Sequence, residues 1–155
     1  SLFDPEISLV RSTAPIESVP YQAVGLAKVE FQKKQVGNEL NWMTGSTVAY
    51  GPLQRINSVS LTNDRGLWVG TGFTNPISLN DYFSLRFSFL PGIYVRGTEV
   101  DLGGWLMFRS VAAVELTIAT DIAVSVAYDH RSSGDIWSYN PGLETWQFQV
   151  IRYFD

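Results

Sequence analysis

Three residue types that together perform acyl transfer lie near the end of the chain. His130, the single histidine among 155 residues, is followed two positions later by Ser132 and fourteen positions later by Glu144. A serine oxygen becomes a nucleophile when a histidine accepts its proton, and a carboxylate holds the imidazole in the required tautomer. The pattern therefore makes Ser132, His130 and Glu144 candidate catalytic residues of an esterase.

The composition indicates one domain with an unusually uncharged surface. Hydrophobic residues make up 45% of the chain and charged residues 17%, against about 25% charged in a typical soluble domain. No run approaches the roughly 20 apolar residues of a membrane-spanning helix, and the start of the chain lacks a signal-peptide pattern. We expect residues 1–155 to form a single domain that is either soluble or a membrane-spanning barrel whose signal has been removed.

Several function classes are disfavoured by what the chain lacks. With zero cysteines and one histidine, a cysteine or multi-histidine metal site is not expected, and no motif calls for a cofactor. The net charge of −4 comes from scattered residues without a basic run, so nucleic acid is not an expected partner.

Nearly every periodic stretch alternates with period two, and Gly, Pro, Asn and Asp lie between the stretches, which is typical of antiparallel strands joined by turns. The predicted fold is therefore all-β. The strands are expected near residues 6–12, 21–35, 39–50, 57–72, 82–95, 104–118, 121–131 and 143–154.

The two faces of these strands differ in size and polarity. In the seventh strand Val124, Val126 and Tyr128 alternate with Ser125 and Ala127, and the fifth, sixth and eighth strands repeat the pattern. In a soluble sandwich the polar face would lack the lysines and glutamates that usually cover such surfaces. The pattern favours an up-and-down, eight-stranded transmembrane barrel, with the bulky face toward lipid and Arg86, Arg109 and Glu115 pairing in the lumen.

His130 and Glu144 both continue the bulky, outward-facing series of their strands. The register that puts 130 opposite 144 also sets Tyr128 against Trp146. A carboxylate and an imidazole are costly on a lipid-facing surface, so an ester-cleaving site for a lipid is a sufficient reason for them. Asp129 has the opposite parity and is not chosen as the acid.

Residues around this pair are candidates for contacts with a lipid substrate. Tyr128 and Trp146 share its face and also suit an interfacial aromatic belt together with Trp137 and Tyr139. Arg131 and Asp135 are near enough to touch phosphates or sugars of a head group, although solvated loop charges are the simpler explanation.

These residues resemble the PagL-type lipid A 3-O-deacylases, small eight-stranded outer-membrane barrels of Gram-negative bacteria. That family has a His-x-Ser-Asn motif, an Asn-x-Gly turn and then a Glu, matched here by His130-Arg131-Ser132, Asn140-Pro141-Gly142 and Glu144. The close match covers roughly the last 35 residues. One departure is Ser133 at the position of the family's Asn, with Gly134 one place earlier than the family's usual glycine.

The resemblance implies His130 as general base, Ser132 as nucleophile and Glu144 as its orienting acid, without a cofactor. In that family the Asn after the serine helps to form the oxyanion hole, so Ser133 and Gly134 are the candidate donors in this chain. Loss of one such donor can cost about 10²–10³ in turnover. The implied substrate is lipid A of lipopolysaccharide, cut at its 3-position acyl ester. The implied location is the cell outer membrane of a Gram-negative bacterium, among its lipids, with the site toward the outer leaflet.

Two other readings remain open at this point. A non-catalytic outer-membrane barrel would bind a partner through loops such as 96–103 and 131–142. A soluble lipocalin-like barrel would carry a hydrophobic ligand inside and would need the bulky face to point inward. Association of two barrels into a homodimer is also left open.

Overall fold

The computed structural model describes residues 19–31, 34–63, 65–95, 104–132 and 143–154. Eight antiparallel strands follow one another around a closed barrel, and the last pairs with the first. Their bounds are β1 Tyr21–Phe31, β2 Lys34–Tyr50, β3 Leu53–Thr62, β4 Leu67–Ser78, β5 Phe83–Val95, β6 Leu106–Thr117, β7 Ile122–Ser132 and β8 Leu143–Tyr153. No helix long and apolar enough to cross a membrane occurs in these ranges.

The predicted all-β, up-and-down, eight-stranded barrel is confirmed, but the strand boundaries in the first half were partly wrong. The strand expected at 57–72 is two strands, β3 and β4, and the one expected at 21–35 runs across the end of β1 into β2. The strand expected at 6–12 lies outside the described residues. The last four strands agree with the prediction to within a few residues.

A tight turn explains why 57–72 was read as one strand. The Gly66 amide donates to Thr62 Oγ1 at 2.9 Å, and Arg65 adopts a left-handed backbone with φ of 63°. Alternation of apolar and polar residues continues on both sides of this turn, so periodicity alone does not reveal the reversal.

The bulky face points outward and the small, polar face points into the lumen. Phe148 is 54% exposed and Val126 is 56% exposed, whereas Ser125, Gln147 and Gln149 are buried. A soluble lipocalin-like barrel needs the opposite arrangement, so the structure overturns that reading. An apolar exterior band with a polar interior is the pattern of a barrel surrounded by lipid.

Ion pairs fill the lumen. Arg109 donates to Glu39 at 2.7 Å and to Asp129 at 2.6 Å, and Arg131 donates to the second Glu39 oxygen at 2.7 Å. Both guanidinium groups lie over the ring of Trp68, at 5.2 and 5.9 Å from its centroid. Buried charges need such partners, and together these side chains make the lumen a packed core instead of a pore.

A second lumen cluster lies nearer the other end of the barrel. Arg86 pairs with Glu115 at 3.2 Å, as predicted, and Tyr153 donates its hydroxyl hydrogen bond to the same carboxylate. The prediction that Arg109 would join this pair was wrong, because Arg109 is occupied by the Glu39 and Asp129 carboxylates described above.

Glycine makes room for the large lumen side chains. A Cβ on Gly92 would lie 2.5 Å from Trp68 Cε2 and 2.5 Å from the Val69 carbonyl oxygen. Gly45 is similarly covered by the ring of Tyr21. The indole and phenol rings therefore lie over glycines of the neighbouring strands, β5 and β2, where a side chain would collide with them.

The two ends of the barrel differ in the length of their connections. At one end, called here the turn end, residues 51–52, 79–82 and 118–121 join neighbouring strands. At the other, called the loop end, residues 32–33 and 63–66 join β1 to β2 and β3 to β4, while the two longer connections, residues 96–105 and 133–142, join β5 to β6 and β7 to β8. His130 and Glu144 lie at the loop end.

Candidate functional site

The centre of the candidate site is a hydrogen-bonded pair on the outside of the barrel. β7 and β8 pair in the predicted register, with His130 opposite Glu144 and Tyr128 opposite Trp146. His130 Nδ1 lies 3.3 Å from Glu144 Oε1. Because both residues have even-numbered, outward parity on adjacent strands, the hairpin alone brings the imidazole and the carboxylate together.

Both groups are accessible from outside the barrel. The side chain of His130 is 45% exposed and that of Glu144 is 29% exposed. With Nδ1 directed to the carboxylate, the other ring nitrogen, Nε2, is available to accept a proton from a hydroxyl group. The pair therefore supplies the contact between a general base and its orienting acid, and it leaves Nε2 for a nucleophile.

Ser132 lies on the same face of β7, two residues beyond His130. It is half-buried, and its cross-strand partner on β6 is Phe108. Residues two apart on a strand are about 6.8 Å apart, and no hydrogen bond joins Ser132 to His130 among those of the described residues. The structure thus brings the serine to the correct face and end, while its contact with the imidazole needs side-chain rotation, as catalytic contacts without substrate often do.

Aromatic residues lie beside the pair on the side facing the middle of the barrel wall. The Tyr128 and Trp146 rings are 4.7 Å apart between centroids, tilted by 55°. Both rings are on the outer surface. They form an aromatic platform directly adjoining His130 and Glu144, and the exposed Lys28 of β1 is the next partner of Trp146.

Arg131 is a correction to the predicted substrate contacts. Its side chain is 1% exposed, and it donates to Glu39 inside the barrel at 2.7 Å. The reason is parity: an odd-numbered residue of β7 points inward, as Asp129 does, and the Glu39 carboxylate compensates its buried charge. Arg131 therefore cannot reach a head group outside the wall. The predicted oxyanion residues Ser133 and Gly134, and Asp135, Trp137 and Tyr139, lie outside the described residues.

Sequence reasoning missed two polar neighbours of the pair. Barrel closure sets Glu30 of β1 directly opposite Glu144, and the register of β6 sets Ser110 directly opposite His130. Ser110, His130, Glu144 and Glu30 thus form one line across four adjacent strands, called here the exterior row. The even parity of Glu30 continues that of Val24 and Leu26 and was a usable signal, but its position beside Glu144 required the β1–β8 pairing.

The charges of the exterior row suit an imidazole that becomes protonated during a reaction. Glu144 adjoins His130 and Glu30 adjoins Glu144, so negative charge lies on one side of the ring. A carboxylate beside the imidazole stabilises the imidazolium that forms when a serine loses its proton. Within the described ranges, no group of three or more acidic or histidine side chains is arranged to hold a metal ion.

Comparisons with known proteins identify the fold. The structure is similar to that of the outer membrane enzyme PagL, with a TM-score of 0.66 and 12% identity over 85% of this chain and 98% of that one. It is also similar to the Yersinia pestis outer membrane protein Ail, with a TM-score of 0.57 and 13% identity over 89% of this chain and 100% of that one. The fold is that of an outer-membrane β-barrel.

The same comparisons leave the activity open. Neisserial surface protein A also matches, with a TM-score of 0.56 and 12% identity over 87% of this chain and 96% of that one. No family model matches the sequence, and no curated protein does. At these identities the likeness concerns the fold alone, and one fold can carry an enzyme or another function. The activity must therefore be argued from the residues.

Proposed function

We propose that this protein is an outer-membrane serine esterase that hydrolyses the 3-position acyl ester of lipid A and releases a 3-hydroxy fatty acid. The observation that carries the proposal is the 3.3 Å contact between His130 Nδ1 and Glu144 Oε1 on the outer wall of the barrel. Ionisable groups on a lipid-facing wall cost free energy, so their presence points to a function. An imidazole oriented by a carboxylate and adjoining a serine suits acyl transfer.

The position of the pair along the barrel supports a lipid substrate of the outer leaflet. Outer-membrane barrels have short turns on the periplasmic side and longer loops outside. The exterior row is at the loop end, next to residues 133–142, and the apolar band continues from Tyr128 and Trp146 toward the turn end. A glycolipid lying against this wall would have its acyl chains along the band and its ester bonds near His130.

The chemistry follows from the three side chains. Ser132 Oγ attacks the carbonyl carbon of the acyl ester while His130 Nε2 takes its proton, and Glu144 stabilises the imidazolium. When the tetrahedral intermediate collapses, the bond from the carbonyl carbon to the sugar oxygen breaks and that oxygen receives the proton from His130. A water molecule, deprotonated by His130, then cleaves the acyl-serine, which releases the fatty acid and restores Ser132.

Two further points support the 3-position of lipid A as the substrate bond. His130-Arg131-Ser132, Asn140-Pro141-Gly142 and Glu144 resemble the motif of the PagL-type lipid A 3-O-deacylases. The barrel also resembles the outer membrane enzyme PagL in fold. Ser133 and Gly134 are proposed as oxyanion donors in place of the Asn of that motif.

The proposal is tested by incubating the purified barrel, folded in detergent, with lipid A and recording mass spectra of the product. We expect loss of one 3-hydroxyacyl chain, lowered by at least about 10²-fold in Ser132→Ala and in His130→Ala. Ser78→Ala, an exposed serine at the turn end of β4, is the matched control and should retain the full rate. An unchanged lipid A spectrum with correctly folded barrel would refute the esterase and favour a barrel that only binds partners through its loops.

A further inference from the structure

A second serine adjoins the imidazole in the exterior row. Ser110 of β6 is the cross-strand partner of His130, and His130 is in turn the partner of Glu144. Side chains that are direct cross-strand partners have Cβ atoms about 4.5–5.5 Å apart, whereas Ser132, two residues along the same strand, is about 6.8 Å away. Ser110 is therefore the hydroxyl-bearing residue whose backbone is nearer to the imidazole.

The direction of the imidazole also favours Ser110. Glu144 approaches Nδ1 from the β8 side of His130, and Ser110 lies on the β6 side. In a serine hydrolase the acid contacts one ring nitrogen and the nucleophile contacts the other, which points away from the acid. Acid, base and hydroxyl in the order Glu144, His130, Ser110 follow this arrangement across three neighbouring strands.

The surroundings of the two serines differ as well. Ser110 is exposed on the outer wall. Ser132 is half-buried opposite Phe108, whose ring stacks on Phe89 with 5.7 Å between centroids. Ser110 also has an aromatic partner, Phe89 of β5, but its side chain is the more exposed of the two serines, so an acyl ester arriving along the wall meets its hydroxyl first.

From this geometry we propose that Ser110 is a second nucleophile of the site, activated by His130. The inference rests on the proposed esterase function and adds a second acyl-serine to it. Ser110 Oγ attacks the ester carbonyl carbon, His130 Nε2 takes the hydroxyl proton, and the departing sugar oxygen receives that proton as the ester bond breaks. Water then hydrolyses the acyl-Ser110 to a fatty acid and free serine.

The test uses a long-chain alkyl fluorophosphonate on the full-length barrel in detergent micelles. An activated serine oxygen attacks the phosphorus, fluoride leaves, and the stable adduct is located by peptide mass spectrometry. We expect an adduct on Ser110 in the wild type and in Ser132→Ala, and none on Ser110 in His130→Ala. Ser78, exposed at the turn end without a histidine beside it, is the internal control for non-specific reaction.

Lipid A turnover in the same variants provides a second readout. Ser110→Ala added to Ser132→Ala should lower the residual deacylation rate by about tenfold or more, whereas Ser78→Ala added to Ser132→Ala should not. An adduct on Ser132 alone would overturn this inference and leave the proposed esterase intact. Adducts on neither serine, together with unchanged lipid A, would overturn both. Labelling of Ser110 that persists in His130→Ala would overturn activation by the histidine.

Discussion

Glu144→Gln tests whether the carboxylate acts through its charge on His130. Glutamine keeps the size of the side chain and an oxygen that can accept from the imidazole, so the substitution mainly removes one negative charge. At the observed 3.3 Å, the attraction to an imidazolium is about 5 kcal/mol at an effective dielectric constant near 20 and about 1.3 kcal/mol at 80. Side-chain exposures of 45% and 29% indicate a value between these limits. We therefore expect Glu144→Gln to remove about 2.7 kcal/mol of this stabilisation, which corresponds to about a 10²-fold fall in kcat.

The exterior row offers a matched control with the same charge change. Glu30 faces the same side and lies one strand beyond Glu144, about 9.6 Å from His130 at about 4.8 Å per strand. At that distance in water-like surroundings its attraction to the imidazolium is about 0.4 kcal/mol, or about twofold in rate. Both variants are assayed as kcat for deacylation of lipid A, with the folded fraction measured by circular dichroism. Equal losses in Glu30→Gln and Glu144→Gln, or a Glu144→Gln rate within twofold of the wild type, would refute the reasoning.

Three further predictions concern the barrel itself. Phe148→Lys introduces an ammonium into the lipid-facing wall and should destabilise the folded barrel in bilayers by about 2–4 kcal/mol. The neighbouring Gln147→Lys, beside Asp129 in the lumen, should cost clearly less. Equal losses in denaturant titrations would contradict the assignment of the two faces. Arg109→Met leaves the buried Asp129 carboxylate without its guanidinium partner and removes one of the two arginines that pair with Glu39. It should destabilise the barrel by about 3–5 kcal/mol, measured by urea unfolding in detergent. Gly92→Ala sets a methyl group 2.5 Å from the lumen indole ring and should cost about 1–3 kcal/mol, visible as a lower unfolding midpoint; an unchanged midpoint would show that the ring moves aside freely.

The packed interior of this small barrel explains why the candidate site lies on its exterior. The lumen holds Arg86, Arg109, Arg131 and their carboxylate partners, so the described lumen side chains pack against one another and leave no substrate cleft between them. The outer wall, by contrast, carries the exposed apolar band, and under the proposed function acyl chains reach the exterior row along it without extraction from the membrane. Chemistry on a lipid is therefore favoured on the outside of this barrel.

The alternation of side chains determined, from sequence alone, which residues share a face of the wall, and it favoured the bulky face as the one toward lipid; the structure decided that this face points outward. It also placed His130 and Glu144 on the same face of neighbouring strands, but a slip of two residues would keep that face, so the register that pairs them came from the structure. Both results depend on residues close in sequence, where the period of two acts directly.

Contacts between distant strands were decided only by the tertiary structure. Arg131 faces Glu39 across the lumen, and no pattern near residue 131 specifies a partner 92 residues away. Glu30 adjoins Glu144 only because β1 closes the barrel against β8, and Ser110 adjoins His130 only through the register of β6 with β7. Parity determines whether a side chain points outward or into the lumen. Which residue lies beside it on the next strand depends on strand order, shear and closure, which are properties of the whole barrel.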